Sequence, residues 1–195
     1  MKTTIVIDAR DHVLGRLSAV VAKELLNGQH IAVTHCEDIA VAGDFFRTRA
    51  HYLDQLQKRT NFNHKRGPFH FRDPAQVLKS TVKRMTPSKT ARGKAALARL
   101  EVYSGVPAKY QAGHVVVPEA MREFRLKSTS RYSKLGDVMK TLGWHNAEQC
   151  KLFEEKFEAK DAARREAYNQ KYEAANKNPE VAKLNEELKK YGYGY

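Results

Sequence analysis

A β-branched run, Ile5-Val6-Ile7 closed by Asp8, is followed by a helical apolar pattern and then by a second apolar run from Ile31 to Thr34. Between the two runs, Val13, Leu14, Leu17, Val20, Val21 and Leu25 recur at helical spacing. Asp11 stands where a cap would, and Asn27-Gly28 where a stop would. Two strands joined by a helix of about fourteen residues form the crossover unit of a parallel sheet. The pattern therefore predicts an α/β fold.

The rest of the chain continues the alternation. Ile39-Ala40-Val41 is another short apolar run, and Gly43-Asp44 leads into a helix through Phe45, Phe46, Ala50, Leu53 and Leu56. Asp73-Pro74 is a helix start with aspartate as cap and proline at the first position, and Val77, Leu78, Thr81, Val82 and Met85 give that helix an apolar stripe. Thr86-Pro87 ends it. A helix from Ala91 to Leu100 follows, packing through Ala95, Ala96, Leu97 and Leu100. Val102-Tyr103 and Val115–Val117 read as strands, whereas Glu119–Phe124 fits a short helix or extended chain equally. Ser133 is placed to cap a helix over Lys134–Leu142 that Gly143 closes.

From Ala147 to about residue 175 the chain is rich in Ala, Glu, Lys and Gln without Gly or Pro, which predicts one long helix. A looser segment is expected after Pro179, ending in Tyr191, Tyr193 and Tyr195. The division expected is an α/β domain over 1–146 and a helical extension over 147–195. Leu152, Phe153 and Phe157 are expected to anchor the extension's first turns.

Charge singles out one stretch. Lys58–Lys94 holds eleven Lys or Arg against the single acid Asp73. Such a concentration repels itself unless a polyanion neutralises it. Phe62, Phe69, Phe71, Gly67 and Pro68 lie among the charges and give rings and close backbone approach, both useful against a sugar-phosphate surface. The net charge of +13 falls almost wholly on the first 150 residues, with 25 basic and 13 acidic residues, against 10 and 9 in 151–195. A polyanion is thus expected on the α/β domain.

Other chemistries find little support. Cys36 and Cys150 form no CxxC, and the N-terminal apolar run is too short for a signal peptide or membrane span. The default is a reducing intracellular compartment. Neither GxGxxG nor GxxxxGK[ST] is present. His64, His70 and Asp73 lie among Lys65, Arg66 and Arg72, surroundings that oppose a bound cation. Asp8, Asp11, Glu37, Asp38 and Asp44 fall near strand ends, where α/β active sites lie, but helix caps and arginine partners account for them without chemistry. The residues leave open a structural RNA-binding protein, a free RNA-binding translational regulator, or an RNA-processing enzyme.

Longer motifs carry a resemblance. IDARDHVLGRLSAVVAKELLNG (7–28), GDFFRTRAHYLDQLQKRTNFNHKRGPFHFRDPAQV (43–77), TVKRMTPSKTARGKAALARLEVYSGVP (81–107) and HVVVPEAMREFRLKSTSRYSKLGDVMKTLGW (114–144) resemble a eukaryotic-type member of the universal ribosomal protein L-thirteen family of the large subunit. The resemblance covers about residues 3–150 and leaves the C-terminal arm poorly matched. It implies a three-layer α/β/α core around a small, mostly parallel sheet with a helical C-terminal extension. It further implies a structural, non-enzymatic component of the large subunit that binds and stabilises folded ribosomal RNA, with no cofactor, metal, membrane or small-molecule substrate.

Neighbouring large-subunit proteins are the other partners implied, with residence on the cytoplasmic ribosome after assembly in the nucleus and nucleolus. The RNA-binding residues implied are Arg16, Arg47, Arg49, Lys58, Arg59, His64, Lys65, Arg66, Phe69, His70, Phe71, Arg72, Lys83, Arg84, Lys89, Arg92 and Lys94.

Overall fold

Two strands, β1 (Thr4–Asp8) and β2 (His30–Thr34), run parallel with Ile5 beside Ile31 and Ile7 beside Val33. α1 (Leu14–Leu26) crosses between them. In this computed structural model, which describes residues 4–111, 113–176 and 179–190, the chain continues through β3 (Ala40–Ala42), α2 (Phe45–Gln57), α3 (Pro74–Met85) and α4 (Ala91–Ala98). It then forms β4 (Leu100–Val102), β5 (His114–Val115), α5 (Arg122–Arg125), β6 (Tyr132–Lys134) and α6 (Leu135–Thr141).

The four-stranded sheet has the order β4-β2-β1-β5, every pair parallel, and β3 pairs antiparallel with β6 in a separate ribbon. The fold is α/β, as expected. Because successive strand side chains point to opposite faces, Ile7, Ile31 and Val33 meet Leu17, Val21 and Leu25 of α1 on one face, in a core shared with Leu78, Val82, Leu135 and Met139. Val6 and Ala32 point the other way, where Tyr110 and the half-buried Tyr103 cover them. Each large aliphatic buried in the main core contributes about 1.5–3 kcal/mol.

Several helix ends differ from expectation because the residue expected to cap has a competing partner distant in sequence, through its side chain at Asp11 and Asp73 and through backbone strand pairing at Ser133. Asp11 does not cap α1; with φ of 56° it turns the chain, and its carboxylate meets Arg122 Nε at 3.3 Å. Val13 begins the helix instead, its own N–H donating to Ala120 O at 2.8 Å. Asp73 stands at the α3 N-cap, yet its side chain accepts from Ser104 Oγ at 2.7 Å and caps nothing. Ser133 lies in β6, paired with Val41, so α6 starts two residues later. Thr90 does cap α4, accepting from Gly93 N at 3.2 Å and donating to Pro87 O at 2.8 Å.

The apolar stripes shift slightly. Met85 is exposed and Ala75 takes its place in the buried face of α3. Leu100 leaves the helical run to start β4, and Ala95 is exposed, with Gly93 and Ala96 facing inward. The strand expected over Val115–Val117 is shorter, and Glu119–Phe124 resolves into a 3-10 turn at Pro118–Ala120 followed by α5.

The chain divides into two compact units, Met1–Phe153 and Glu154–Tyr195. α7 (Ala147–Asn176) crosses that boundary in sequence. In the first unit, Trp144, Ala147 and Cys150 are buried, whereas Leu152 and Phe153 are exposed and do not act as the expected anchors. Small side chains on one face of the first α7 turn do the packing. In the second unit the segment after Pro179 is a helix, α8 (Pro179–Lys190), with Leu184 and Leu188 exposed. Tyr191, Tyr193 and Tyr195 lie outside the described residues.

Candidate nucleic-acid interface

Lys58–Asp73 links α2 to α3 without regular secondary structure, yet it is tightly closed. His70 Nε2 donates to Lys58 O at 2.7 Å, bringing the two ends of the loop together. Because a carbonyl can only accept, this bond fixes the proton on Nε2. Gly67 is buried where a Cβ would stand 2.7 Å from Thr60 N and 2.9 Å from Thr60 Oγ1. Only glycine lets the strands of the loop approach so closely. Asn63 Oδ1 accepts from Lys65 N at 3.1 Å, an Asx turn that aims Lys65 and Arg66 outward.

The second rigid turn, Thr86–Gly93, is built the same way. A Cβ at Gly93 would lie 2.1 Å from Pro87 O, so glycine permits α4 to pack on the turn that precedes it. Lys89, Arg92 and Lys94 are exposed around that turn.

Every other candidate cation can be located. Arg16 is exposed on α1; Lys83 and Arg84 are exposed on α3; Lys58, Arg59, Lys65, Arg66, Arg72 and His64 are exposed on the loop and its edges. Arg47 is exposed on α2, in line with His51 and Lys58 by helical spacing. Arg49 lies two residues on, turned to the other side of the helix, half-buried and with Nε enclosed without a hydrogen-bond partner. Phe69 and Phe71 are 74 % and 54 % exposed, and His70 is half-buried.

Among the described residues none of these lysines or arginines forms an ion pair with a carboxylate. The acids are engaged elsewhere. Asp8 meets Arg10 Nη2 at 2.7 Å and the buried His35 Nδ1 at 3.1 Å. Burial alone would raise its titration, but the His35 and Arg10 interactions outweigh it and hold the carboxyl below the ordinary carboxylate range. Asp38 pairs with Lys134 at 2.8 Å, Asp44 with Arg131 at 3.3 Å, and Asp11 with Arg122. Both Glu37 oxygens accept from Gly105 N, at 3.0 and 2.9 Å, and burial pushes this carboxyl upward. All five acids that could have suggested catalysis thus hold loops together. No group of three or more His, Cys, Asp or Glu is placed to hold a metal among the described residues.

Six of the candidate residues, Lys58, Phe69, His70, Phe71, Arg72 and Arg84, converge on two adjoining cavities. The first, about 220 Å³, lies between α2, α3 and the loop; the second, about 400 Å³, shares His51, Gln55, His70 and Arg84 with it. His51, Tyr52, Gln55 and Ser80 also line the first cavity and escaped the charge-based reading, since none is basic at neutral pH by default. Their signal was the helical spacing of His51 with Gln55 and of Ser80 with Arg84, which puts each pair on one side of its helix. Arg16 and Arg49 line neither cavity.

Comparison with known proteins gives this chain a family. The model of the family described as "Ribosomal protein L13" matches residues 2–109. A "Large ribosomal subunit protein uL13" from Drosophila melanogaster is 47% identical over 158 residues, covering 80% of this chain and 77% of the relative. Another protein of that name, from Spodoptera frugiperda, is 42% identical over 196 residues, covering 97% of this chain and 96% of the relative. The second match extends through the C-terminal arm, beyond the stretch whose motifs first carried the likeness.

Proposed function

Since this chain belongs to the ribosomal protein L13 family, we propose that it is a structural, non-catalytic constituent of the large ribosomal subunit that binds and stabilises folded ribosomal RNA. The observation that carries the reading is the set of exposed Lys and Arg side chains on α2, α3, α4 and the Lys58–Asp73 loop, none paired with a carboxylate among the described residues. Helices and closed turns hold the backbone of these cations in place, so only side-chain freedom is lost on meeting phosphates, and a polyanion relieves their mutual repulsion. Lys and Arg hold the phosphates and fix orientation, while Phe69 and Phe71 serve irregular, unpaired positions of the RNA.

The ribosome places this protein in the cytoplasm, and we read its assembly into the subunit as a nuclear, nucleolar event. The arm over 147–195 has a near-neutral charge in residues 151–195 and exposed Tyr168, Tyr172, Leu184 and Leu188, which suit a neighbouring ribosomal protein or a peripheral RNA segment better than a phosphate array. Gradient sedimentation after mild lysis tests the main reading. The tagged full chain is expected in large-subunit and whole-ribosome fractions, and its persistent absence from them would defeat the proposal.

A further inference from the structure

Two cavities adjoin beside the basic loop and share His51, Gln55, His70 and Arg84. The first is walled by the rings of Tyr52, Phe69 and Phe71, with Gln55 and Ser80 as hydrogen-bonding side chains and Arg72 and Arg84 as cations. Its volume of about 220 Å³ greatly exceeds the roughly 30 Å³ share of one water molecule. The second opens beyond the shared wall of His51, Gln55, His70 and Arg84, and adds Lys58. Rings and hydrogen-bonding groups therefore line the first chamber, and cations reach both, Arg72 and Arg84 in the first and Lys58 and Arg84 in the second.

That pairing constrains the occupant. A free phosphate makes no use of Phe69, Phe71 and Tyr52, and an alkyl chain leaves Gln55, Ser80 and Arg84 desolvated without partners. A nucleotide uses both: a flat base stacks on rings and hydrogen-bonds at its edge, and the phosphate beside it meets the cations.

We propose that the first cavity receives a single unpaired base turned out of the bound RNA, with the phosphate of that nucleotide in the second cavity at Lys58 and Arg84. The inference rests on the RNA-binding reading above and deepens it. Unstacking a base costs least where the RNA is already bulged or looped, so the cavity selects irregular structure over continuous duplex. Burial raises the titration of the Tyr52 hydroxyl, which stays protonated and able to donate to a base edge. Asp54, the acid lining the second cavity, is an acceptor suited to a ribose hydroxyl. The His70–Lys58 bond and the close approach at Gly67 hold the wall in place before RNA arrives.

Short-wavelength ultraviolet cross-linking of purified large subunits containing the full chain, read by peptide mass spectrometry, tests this directly. A mononucleotide adduct is expected on the peptides holding His51–Gln55 or Phe69–Phe71, together with adducts around Lys89–Lys94 that report RNA contact in general. Replacing Phe69 and Phe71 together by Ala should lower the adduct yield at His51–Gln55 about tenfold or more, the loss expected from removing stacked rings. Ser80→Phe, which fills the cavity without removing a charge, should do the same. Adducts around Lys89–Lys94 with none at the cavity walls would overturn the base site and leave the RNA-binding reading standing. An absence of adducts along the whole chain would sink both, and an unchanged cavity adduct in Ser80→Phe would overturn the base site by itself.

Discussion

Gly93→Ala should destabilise the first unit, although alanine is the better helix former. In an exposed helix interior the exchange gains about 1 kcal/mol. At this position the added Cβ would lie 2.1 Å from Pro87 O, 2.5 Å from Pro87 C and 3.0 Å from Ser88 N. Carbon and carbonyl oxygen rest about 3.3 Å apart or more, so α4 must move by roughly 1 Å away from the turn. That movement strains the Thr90 cap, whose Oγ1 accepts from Gly93 N and donates to Pro87 O. Losing the cap costs about 1 kcal/mol, and overpacking costs about 1–3 kcal/mol. The net loss should be about 1–3 kcal/mol, a fall in Tm of roughly 2–4 °C for each kcal/mol in a chain of this size.

Trp144, the only tryptophan and buried in the first unit, reports that unit's unfolding by fluorescence without interference from the long helix. Gly15→Ala is the control, because a Cβ there meets nothing within 4 Å. It should hold or raise the stability. If Gly93→Ala proves as stable as Gly15→Ala, the close packing of α4 on the Pro87 turn is refuted.

Gly67→Ala should open the basic loop, since its Cβ would stand 2.7 Å from Thr60 N; RNA affinity should fall about tenfold with a stability loss near 1 kcal/mol, and equal affinity in a filter-binding assay would contradict the loop's closure. Asp8→Asn should destabilise the fold at neutral pH by about 1–3 kcal/mol, because His35 and Arg10 lose a charged partner. Asp8 titrates lower in the folded state than in the unfolded chain. Its contribution is therefore present above the unfolded value of about 3.9 and is lost as pH falls through the folded one; denaturation curves of wild type and variant should converge only in strong acid, and convergence near neutrality would exclude the pairing. Removal of residues 151–195 should leave RNA binding intact while abolishing cross-links to a neighbouring ribosomal protein; unchanged cross-links and subunit stability would discard the docking role of the arm.

The elements with a regular period were readable from the chain. β1, α1 and β2 follow from Ile5-Val6-Ile7, the apolar spacing of Val13–Leu25 and Ile31–Thr34, because period 2 and period 3.6 are local properties. Cap assignments failed where a polar residue had a choice. Asp11 and Ser133 both stand where a cap would, but Arg122 comes from more than a hundred residues away and β6 needs Ser133 for its pairing with Val41. Neither competitor is visible in a local window. The segment after Pro179 read as loose because its apolar residues are few, yet Val181, Leu184 and Leu188 share one helical side in α8.

The same divide holds for the site. Charge density marked the loop, since unpaired Lys and Arg need no tertiary structure to be noticed. The cavity wall is assembled from His51, Tyr52, Gln55 and Ser80 on two helices separated by the loop itself, and no local pattern records that meeting. Leu152 and Phe153 show the reverse error: their size suggested anchorage, but Ala147 and Cys150 face the core.

The central claim is that the basic surface meets RNA phosphates directly. The most direct measurement is the salt dependence of binding between the full chain and large-subunit ribosomal RNA, compared with a variant in which Arg66, Arg72, Lys89 and Arg92 are all Ala. All four side chains are exposed and none is in an ion pair with a carboxylate among the described residues. If each holds about one phosphate, the slope of log affinity against log salt should fall by roughly 0.7–0.9 per contact, about 3 in all, with the near-ultraviolet circular dichroism of the folded chain preserved. An unchanged slope accompanied by loss of that dichroism would contradict the account, because these residues would then be holding the fold and not the RNA.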